Sequence, residues 1–201
     1  MKRNQVVVMW MCLLGAFFGA RIAAGQTVAK PTATERLRLS TFGGLSGDYT
    51  GLSGGKNLSI TAGADLALFP HFGVRPTLEL RGTYAIDKGK IDSQKDILGG
   101  LRVDFLVGHR IHPYGDFLLG RGEMNYRSGY IYQNFDYLLT TTTVYSPGAG
   151  FDYDLNRHFA VKVDGQFQRW GSTPTASGSI YSKVGTVGLV YYFNFNHGPI
   201  R

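Results

Sequence analysis

The chain has 201 residues, 43% of them hydrophobic and 13% aromatic, with 28 glycines and one cysteine. That length suits a single domain, and one thiol excludes an internal disulfide and a multi-cysteine metal centre. The formal charge of +7 is scattered along the chain without a basic run or an RNA-binding motif, which argues against a nucleic-acid partner.

In chain order, the first predicted element is an export segment. Lys2 and Arg3 form a basic start, Val6 to Ala20 is a 15-residue apolar run, and Ala23, Ala24 and Gly25 are small. These are the three parts of a secretory signal peptide, here residues 1–25 with cleavage near Gly25/Gln26. The alternative is a retained anchor, but a spanning helix needs roughly 20 apolar residues. Cys12 falls inside this segment without the small-residue box of a lipoprotein. Cleavage would also remove Lys2, Arg3 and Arg21, leaving 18 basic residues against 14 acidic ones.

After an N-terminal segment, 26–34, the chain alternates over 35–195. A first strand is expected from Glu35 to Leu45, where Leu37 and Leu39 alternate with Arg36 and Arg38. Leu58, Ile60, Ala62, Ala64, Leu66 and Leu68 then oppose Ser59, Thr61, Gly63 and Asp65. Beyond Pro70–Gly73, Leu78, Leu80, Tyr84 and Ile86 oppose Thr77, Glu79, Arg81 and Thr83. Ile97, Leu101, Val103 and Phe105 oppose Arg102 and Asp104. Two less regular strands follow, Pro113 to Tyr126 and Tyr145 to Leu155. In the first, Asp116 conflicts with one facing and Arg121 and Glu123 with the other, so its facing is open. Phe159, Val161, Val163 and Phe167 oppose Lys162, Asp164, Gln166 and Gln168, and Val187 to Phe195 closes the series. Period-two alternation gives each strand one greasy and one polar face. The count is eight, and abundant glycine without a 3.6-residue stripe argues against helices.

The connections alternate too. Pro70–Gly73, His109–His112 and Leu155–His158 are short, whereas Leu45–Asn57, Asp87–Lys95, Arg127–Val144 and Gly171–Ile180 are long and polar. Short turns on one rim and long loops on the other predict an eight-stranded antiparallel up-and-down transmembrane β-barrel. Alternation alone fits a soluble barrel as well. Clustered opposite charges on the polar faces favour the membrane reading: Glu79, Arg81, Arg102, Asp104, Asp152, Asp154, Lys162 and Asp164 would fill the lumen as an ion-pair network. Two aromatic belts add to it. Phe69, Phe72, Tyr114, Phe151, Tyr153, Phe159, Phe193 and Phe195 lie near the short turns, and Tyr84, Tyr126, Tyr130, Trp170 and Tyr181 near the long loops.

The stretches Gly148–Trp170 and His112–Gly120 resemble strands of the OmpA/OmpX-like outer-membrane β-barrel family. Val187, Leu189, Tyr191, Phe193 and Phe195 resemble the C-terminal signal by which the barrel assembly machinery recognises its clients. The chain departs from that signal in carrying a tail, 196–201, after Phe195. The resemblance implies a location in the outer membrane, with its lipid and lipopolysaccharide as partners. It implies no single activity, since the family includes adhesins, structural linkers and narrow pores.

A search for chemistry finds no G-x-S-x-G, H-E-x-x-H or P-loop motif, hence no catalytic, cofactor or metal site. His71, His109, His112 and His158 are expected to be solvated turn residues, and His197 lies in the tail. Asp152, Asp154 and Asp164 are the most chemical-looking set, but an eight-stranded barrel leaves little room for a substrate, so pairing with Arg81, Arg102 and Lys162 is expected. The preferred reading is a non-enzymatic structural or surface-interaction barrel. Its contact surface is Arg127–Val144, with Tyr130, Tyr132, Phe135 and Tyr137. The alternatives are a narrow porin-like channel, a lipid-modifying enzyme and a soluble periplasmic barrel.

Overall fold

The computed structural model describes residues 37–51, 55–87, 92–171 and 178–193. The expected signal peptide 1–25, segment 26–34, tail 196–201 and Phe195 lie outside the described residues. Eight strands are described: β1 (Arg38–Tyr49), β2 (Lys56–Ala67), β3 (Val74–Asp87), β4 (Asp92–Phe105), β5 (Ile111–Tyr132), β6 (Phe135–Asp154), β7 (Phe159–Gly171) and β8 (Ser179–Tyr192). Each pairs antiparallel with its chain neighbours, and β8 pairs with β1 to close the barrel.

The register sets the barrel's dimensions. Partners followed from Arg38 run through Ala67, Thr77, Arg102, Asp116, Gly148, Gln166 and Val184, and return to β1 at Asp48, ten residues on. With strands about 4.8 Å apart and residues about 3.3 Å apart, this shift tilts the strands by about 40° and gives a backbone radius of about 8 Å. Such a lumen has room for side chains and little else.

One parity of every strand points into that lumen. Ser40, Phe42 and Ser46 on β1, Thr77, Glu79 and Arg81 on β3, and Lys162, Asp164 and Gln166 on β7 are buried. The other parity is exposed and apolar: Leu58 and Ile60, Leu78 and Leu80, Ile97 and Leu101, Val187 and Leu189. The facing of β5 is settled by its register: Tyr114, Asp116, Leu118, Met124 and Tyr126 point in, and Phe117, Leu119, Arg121 and Glu123 point out.

The strands run further than their sequence pattern extends, and the long connections shrink accordingly. The largest difference is 127–144, expected as a loop. It forms instead the upper part of β5 and β6, which have 22 and 20 residues. β4 pairs with β5 up to Tyr126, and β6 pairs with β7 from Val144 down. The hairpin therefore rises above its neighbours by six residues of β5, about 20 Å of strand. Gln133 and Asn134, with φ of 49° and 65°, make its two-residue turn; two successive positive φ values suit the twist of a tight hairpin. The register slips between Asn125 and Tyr130, where Gly129 takes φ 76°. Extra residues on one strand bend a ribbon in this way, and a Cβ at Gly129 would overlap the Asp136 carboxylate.

Three aromatic residues expected in the lipid belts lie inside. Tyr114 is buried low in the lumen. Trp170, at 0% exposure, and Tyr126, at 2%, join Leu98, Leu118, Met124, Val144 and Ile180 in an apolar cluster on the long-loop side. A Cβ at Gly122 would overlap the Trp170 ring, so this glycine makes the space the indole occupies. The lipid-facing belts keep Phe151, Tyr153, Phe159 and Tyr191 on the short-turn side, and Tyr84 and Tyr181 on the other.

Trp10 and Trp170 are the two tryptophans. In protein lacking residues 1–25, folded into vesicles of brominated phosphatidylcholine, Trp170 emission is expected to persist. Quenching to the level of a lipid-facing tryptophan would place it in the belt instead.

Candidate functional site

The polar parity of the strands converges on a charged cluster in the short-turn half of the lumen. Arg102 on β4 is one centre. Its Nε donates to Asp104 at 2.5 Å, Nη1 reaches Asp65 at 3.4 Å, and Nη2 donates to Asp152. Its guanidinium lies 3.6 Å from the centre of the Tyr114 ring. Arg81 on β3 is the second, with Nε donating to Glu79 at 2.9 Å and Nη1 to Asp164 at 2.6 Å. Lys162 on β7 joins the two, 3.4 Å from Glu79 and 3.7 Å from Asp65, with its ammonium over the Phe42 ring at 3.8 Å.

Neutral groups complete these contacts. Tyr114 donates to Asp164 at 3.0 Å, Thr77 to Asp104 at 2.8 Å, and Gln166 Nε2 to Asp116 at 2.9 Å. Buried charges survive only with several partners each, and every cation here has two or more carboxylates around it. Seven of the eight candidate lumen residues are thus drawn together: Glu79, Arg81, Arg102, Asp104, Asp152, Lys162 and Asp164. Asp154 stands apart at the short-turn mouth, where His112 bonds it at 2.9 Å and the Tyr192 hydroxyl donates at 3.3 Å. Pairing of Asp154 with the lumen cations does not occur. Nor is His112 a solvated turn residue, since it is the second residue of β5, part-buried against that carboxylate.

Sequence reasoning passed over Asp65, Asp116, Tyr114 and Gln166 as members of this cluster. The polar parity of β2 and β7 marks Asp65 and Gln166, whereas Tyr114 and Asp116 lie on the strand whose facing was open.

Above the charges the lumen changes character twice. Ser46, Thr61, Thr83 and Thr186 form a hydroxyl layer, with Ser46 at 2.5 Å from Thr61 and 2.8 Å from Thr186. Gln168 donates to Asp96 at 3.0 Å and accepts from Trp170 at 3.0 Å, at the edge of the apolar cluster. A small cavity of about 40 Å³ opens at the short-turn mouth between Asp65, Arg102 and Asp152. Among the described residues no group of His, Cys, Asp and Glu has the arrangement of a metal site.

The other candidate residues are distributed as follows. Val187, Leu189 and Tyr191 face outward on β8, and the Tyr191 ring lies tilted against Phe159 and edge-on to Phe193. Phe193 follows β8, and its N–H donates to Leu39. Tyr130 and Tyr132 lie in β5, and Phe135 in β6, on the raised hairpin. Tyr137 is not a free contact residue: it packs against the inner apolar cluster.

The charged cluster sets an expected energetic contrast. Arg102→Met strands three carboxylates and should lower stability by about 3–5 kcal/mol. Lys95→Met breaks the half-exposed pair with Glu123 (2.8 Å) and should cost at most about 1 kcal/mol. Urea midpoints of the folded barrel in vesicles would measure both, and equal losses would contradict the contrast.

Residues 11–193 match the outer membrane protein beta-barrel domain family. No curated protein matches the sequence. Among solved structures, Neisserial surface protein A is similar at 13% identity and a TM-score of 0.52, over 78% of this chain and 97% of that one. Ail, the attachment invasion locus protein of Yersinia pestis, is similar at 10% identity and 0.43, over 78% and 97%. OprG from Pseudomonas aeruginosa is similar at 15% and 0.41, over 79% and 96%. With its closed eight-stranded barrel and this match over nearly its whole length, the chain belongs to the outer-membrane β-barrel domain family, is OmpA/OmpX-like in fold, and is an integral protein of the outer membrane.

Proposed function

We propose that the protein is a closed, non-enzymatic barrel that carries a raised β-hairpin on the outer surface of the cell, where the hairpin makes surface contacts. The observation that carries this reading is the pairing of lumen side chains with one another beneath an apolar cluster. An ion entering from the short-turn mouth would have to break Arg102 from Asp152, then pass Leu98, Leu118 and Trp170. The mouth itself is a small cavity of about 40 Å³, room for a few water molecules. The carboxylates that could serve as acid or base already serve as ion-pair partners, so the reading includes no catalytic step.

In this reading residues 1–25 are the cleaved export signal, and Val187 to Phe195 address the barrel assembly machinery. The short turns and both termini face the periplasm, as in outer-membrane barrels generally. The hairpin then projects outward. Ile131 and Leu138, at 76% and 64% exposure, stand on it clear of the barrel wall. Exposed apolar side chains on an extended ribbon suit contact with another surface.

Two measurements test the proposal. In planar phosphatidylcholine bilayers the heat-modifiable folded barrel is expected to give no discrete current steps. Steps whose ion selectivity changes in Asp164→Asn would make it a narrow channel. Replacing 131–136 by an Asn-Gly turn, which keeps Tyr137 on the inner cluster, should leave folding intact and reduce adhesion of cells displaying the protein. Unchanged adhesion would remove the hairpin from the function.

A further inference from the structure

The lumen holds more carboxylates than its cations balance. The charged cluster contains six, Glu79, Asp104, Asp152 and Asp164 with Asp65 and Asp116, and Asp154 adds a seventh at the mouth. Against them stand Arg81, Arg102 and Lys162, with Arg38 and Arg75 at the mouth cavity. Five cations thus face seven carboxylates, and two more, Asp48 and Asp96, are buried higher in the same lumen. A protonated His112 would balance Asp154 and leave the excess deeper in. Uncompensated charge is costly in a narrow lumen, because neither the lipid outside nor the packed side chains inside solvate it.

The shortfall has a place. Arg102 holds Asp65 and Asp152 by one oxygen each, Asp65 Oδ2 at 3.4 Å from Nη1 and Asp152 Oδ2 on Nη2. Lys162 reaches the same Oδ2 of Asp65, at 3.7 Å. The second oxygens, Oδ1 of Asp65 and Oδ1 of Asp152, accept no hydrogen bond from any described residue, although the two side chains belong to residues only 3% and 2% exposed. Asp104 differs: Arg102 Nε donates to its Oδ1 and the Thr77 hydroxyl to its Oδ2. Asp65 and Asp152 both line the mouth cavity of about 40 Å³, and Ser40 lines it with them. The cations of that cavity are engaged elsewhere. Arg102 has its three carboxylates, Arg38 lies 3.6 Å from the centre of the Tyr192 ring, and Arg75 stands cross-strand from Asp104.

We infer that the short-turn mouth binds a monovalent inorganic cation such as sodium between Asp65 and Asp152, with the Ser40 hydroxyl and water completing its shell. The cavity has room for an ion with a few waters and none for an organic ammonium of any size. Two carboxylates fall short of the oxygen set that calcium takes. Three guanidiniums line the same cavity, and their repulsion grows with the charge of the ion, which disfavours a divalent one. Asp65 stands on β2 and Asp152 on β6, so a cation between them adds one more link across strands that share no ladder. The inference holds whichever rim of the barrel faces the periplasm.

The test follows urea unfolding of the barrel in zwitterionic micelles, with the folded form confirmed first by heat-modifiable mobility. Sodium replaces choline stepwise at constant ionic strength, choline being too large for the cavity. For a dissociation constant of about 10 mM, about 100 mM sodium should raise the ratio of folded to unfolded protein about tenfold over choline. Asp65→Asn and Asp152→Asn should lose this gain. Glu123→Gln, the same change of charge on the outer wall, should keep it. Sodium NMR needs no variant: the folded wild-type barrel should broaden the sodium line and the unfolded chain should not. Equal stability in sodium and choline, or an unbroadened line, would overturn the site. A gain from magnesium exceeding that from sodium would overturn the monovalent assignment. Stabilisation by acid in choline, with no response to sodium, would show that protons make up the missing charge and would overturn the cation.

Discussion

The structure depends on three buried cations holding the barrel together across its lumen. Lipid surrounds the outside of such a barrel and gives no reason for the strands to close on one side chain rather than another. The lumen supplies that reason. Arg102 ties β4 to β2 through Asp65 and to β6 through Asp152. Arg81 ties β3 to β7 through Asp164, and Lys162 ties β7 back to β3 and β2 through Glu79 and Asp65. These links span strands that share no ladder hydrogen bonds. At a backbone radius of about 8 Å opposing side chains reach one another across the lumen, so each cation finds carboxylate partners there. The rings of Phe42 and Tyr114 pack against these cations where no carboxylate can fit.

Along its axis the lumen passes from charges through hydroxyls to hydrocarbon, and the proposed closed barrel rests on this gradient. A water-filled channel needs walls that stay wet along their length. Here the upper side chains are Leu98, Leu118, Met124, Val144 and Trp170, which gain nothing from water and lose packing if it enters. The same cluster anchors the base of the raised hairpin, because Tyr126 and Tyr137 belong to its strands. The packing of the upper lumen and the rooting of the hairpin therefore use the same side chains.

The sequence made most of the barrel readable because lipid imposes a strict rule on each outward residue. β2, β3, β4 and β7 follow that rule, so their facing and their share of the charged cluster could be read from parity alone. Legibility failed above the membrane. On upper β5, Arg121 and Glu123 face out while Leu118, Met124 and Tyr126 face in, the arrangement of a soluble barrel. One rule applied along the whole strand yields a contradiction at Asp116 against Arg121. The contradiction disappears once the strand is seen to cross from one solvent to another. Trp170 and Tyr126 were assigned to the lipid belt for the same reason: their height was right and their side was not. The hairpin was hidden because residues 127–144, free of lipid, have no obligation to alternate, and Thr140–Thr143 reads as loop.

That change of rule also locates the boundary of the hydrocarbon from within the protein. Inside, the upper apolar cluster begins at Leu118 on β5 and Trp170 on β7. Outside, charge begins at Arg121 and Arg169, a few residues away on the same strands. The two transitions arise from different demands. Inward residues turn apolar where they pack on one another, and outward residues turn charged where the apolar band ends. Their coincidence on separate strands fixes a common plane without reference to any lipid.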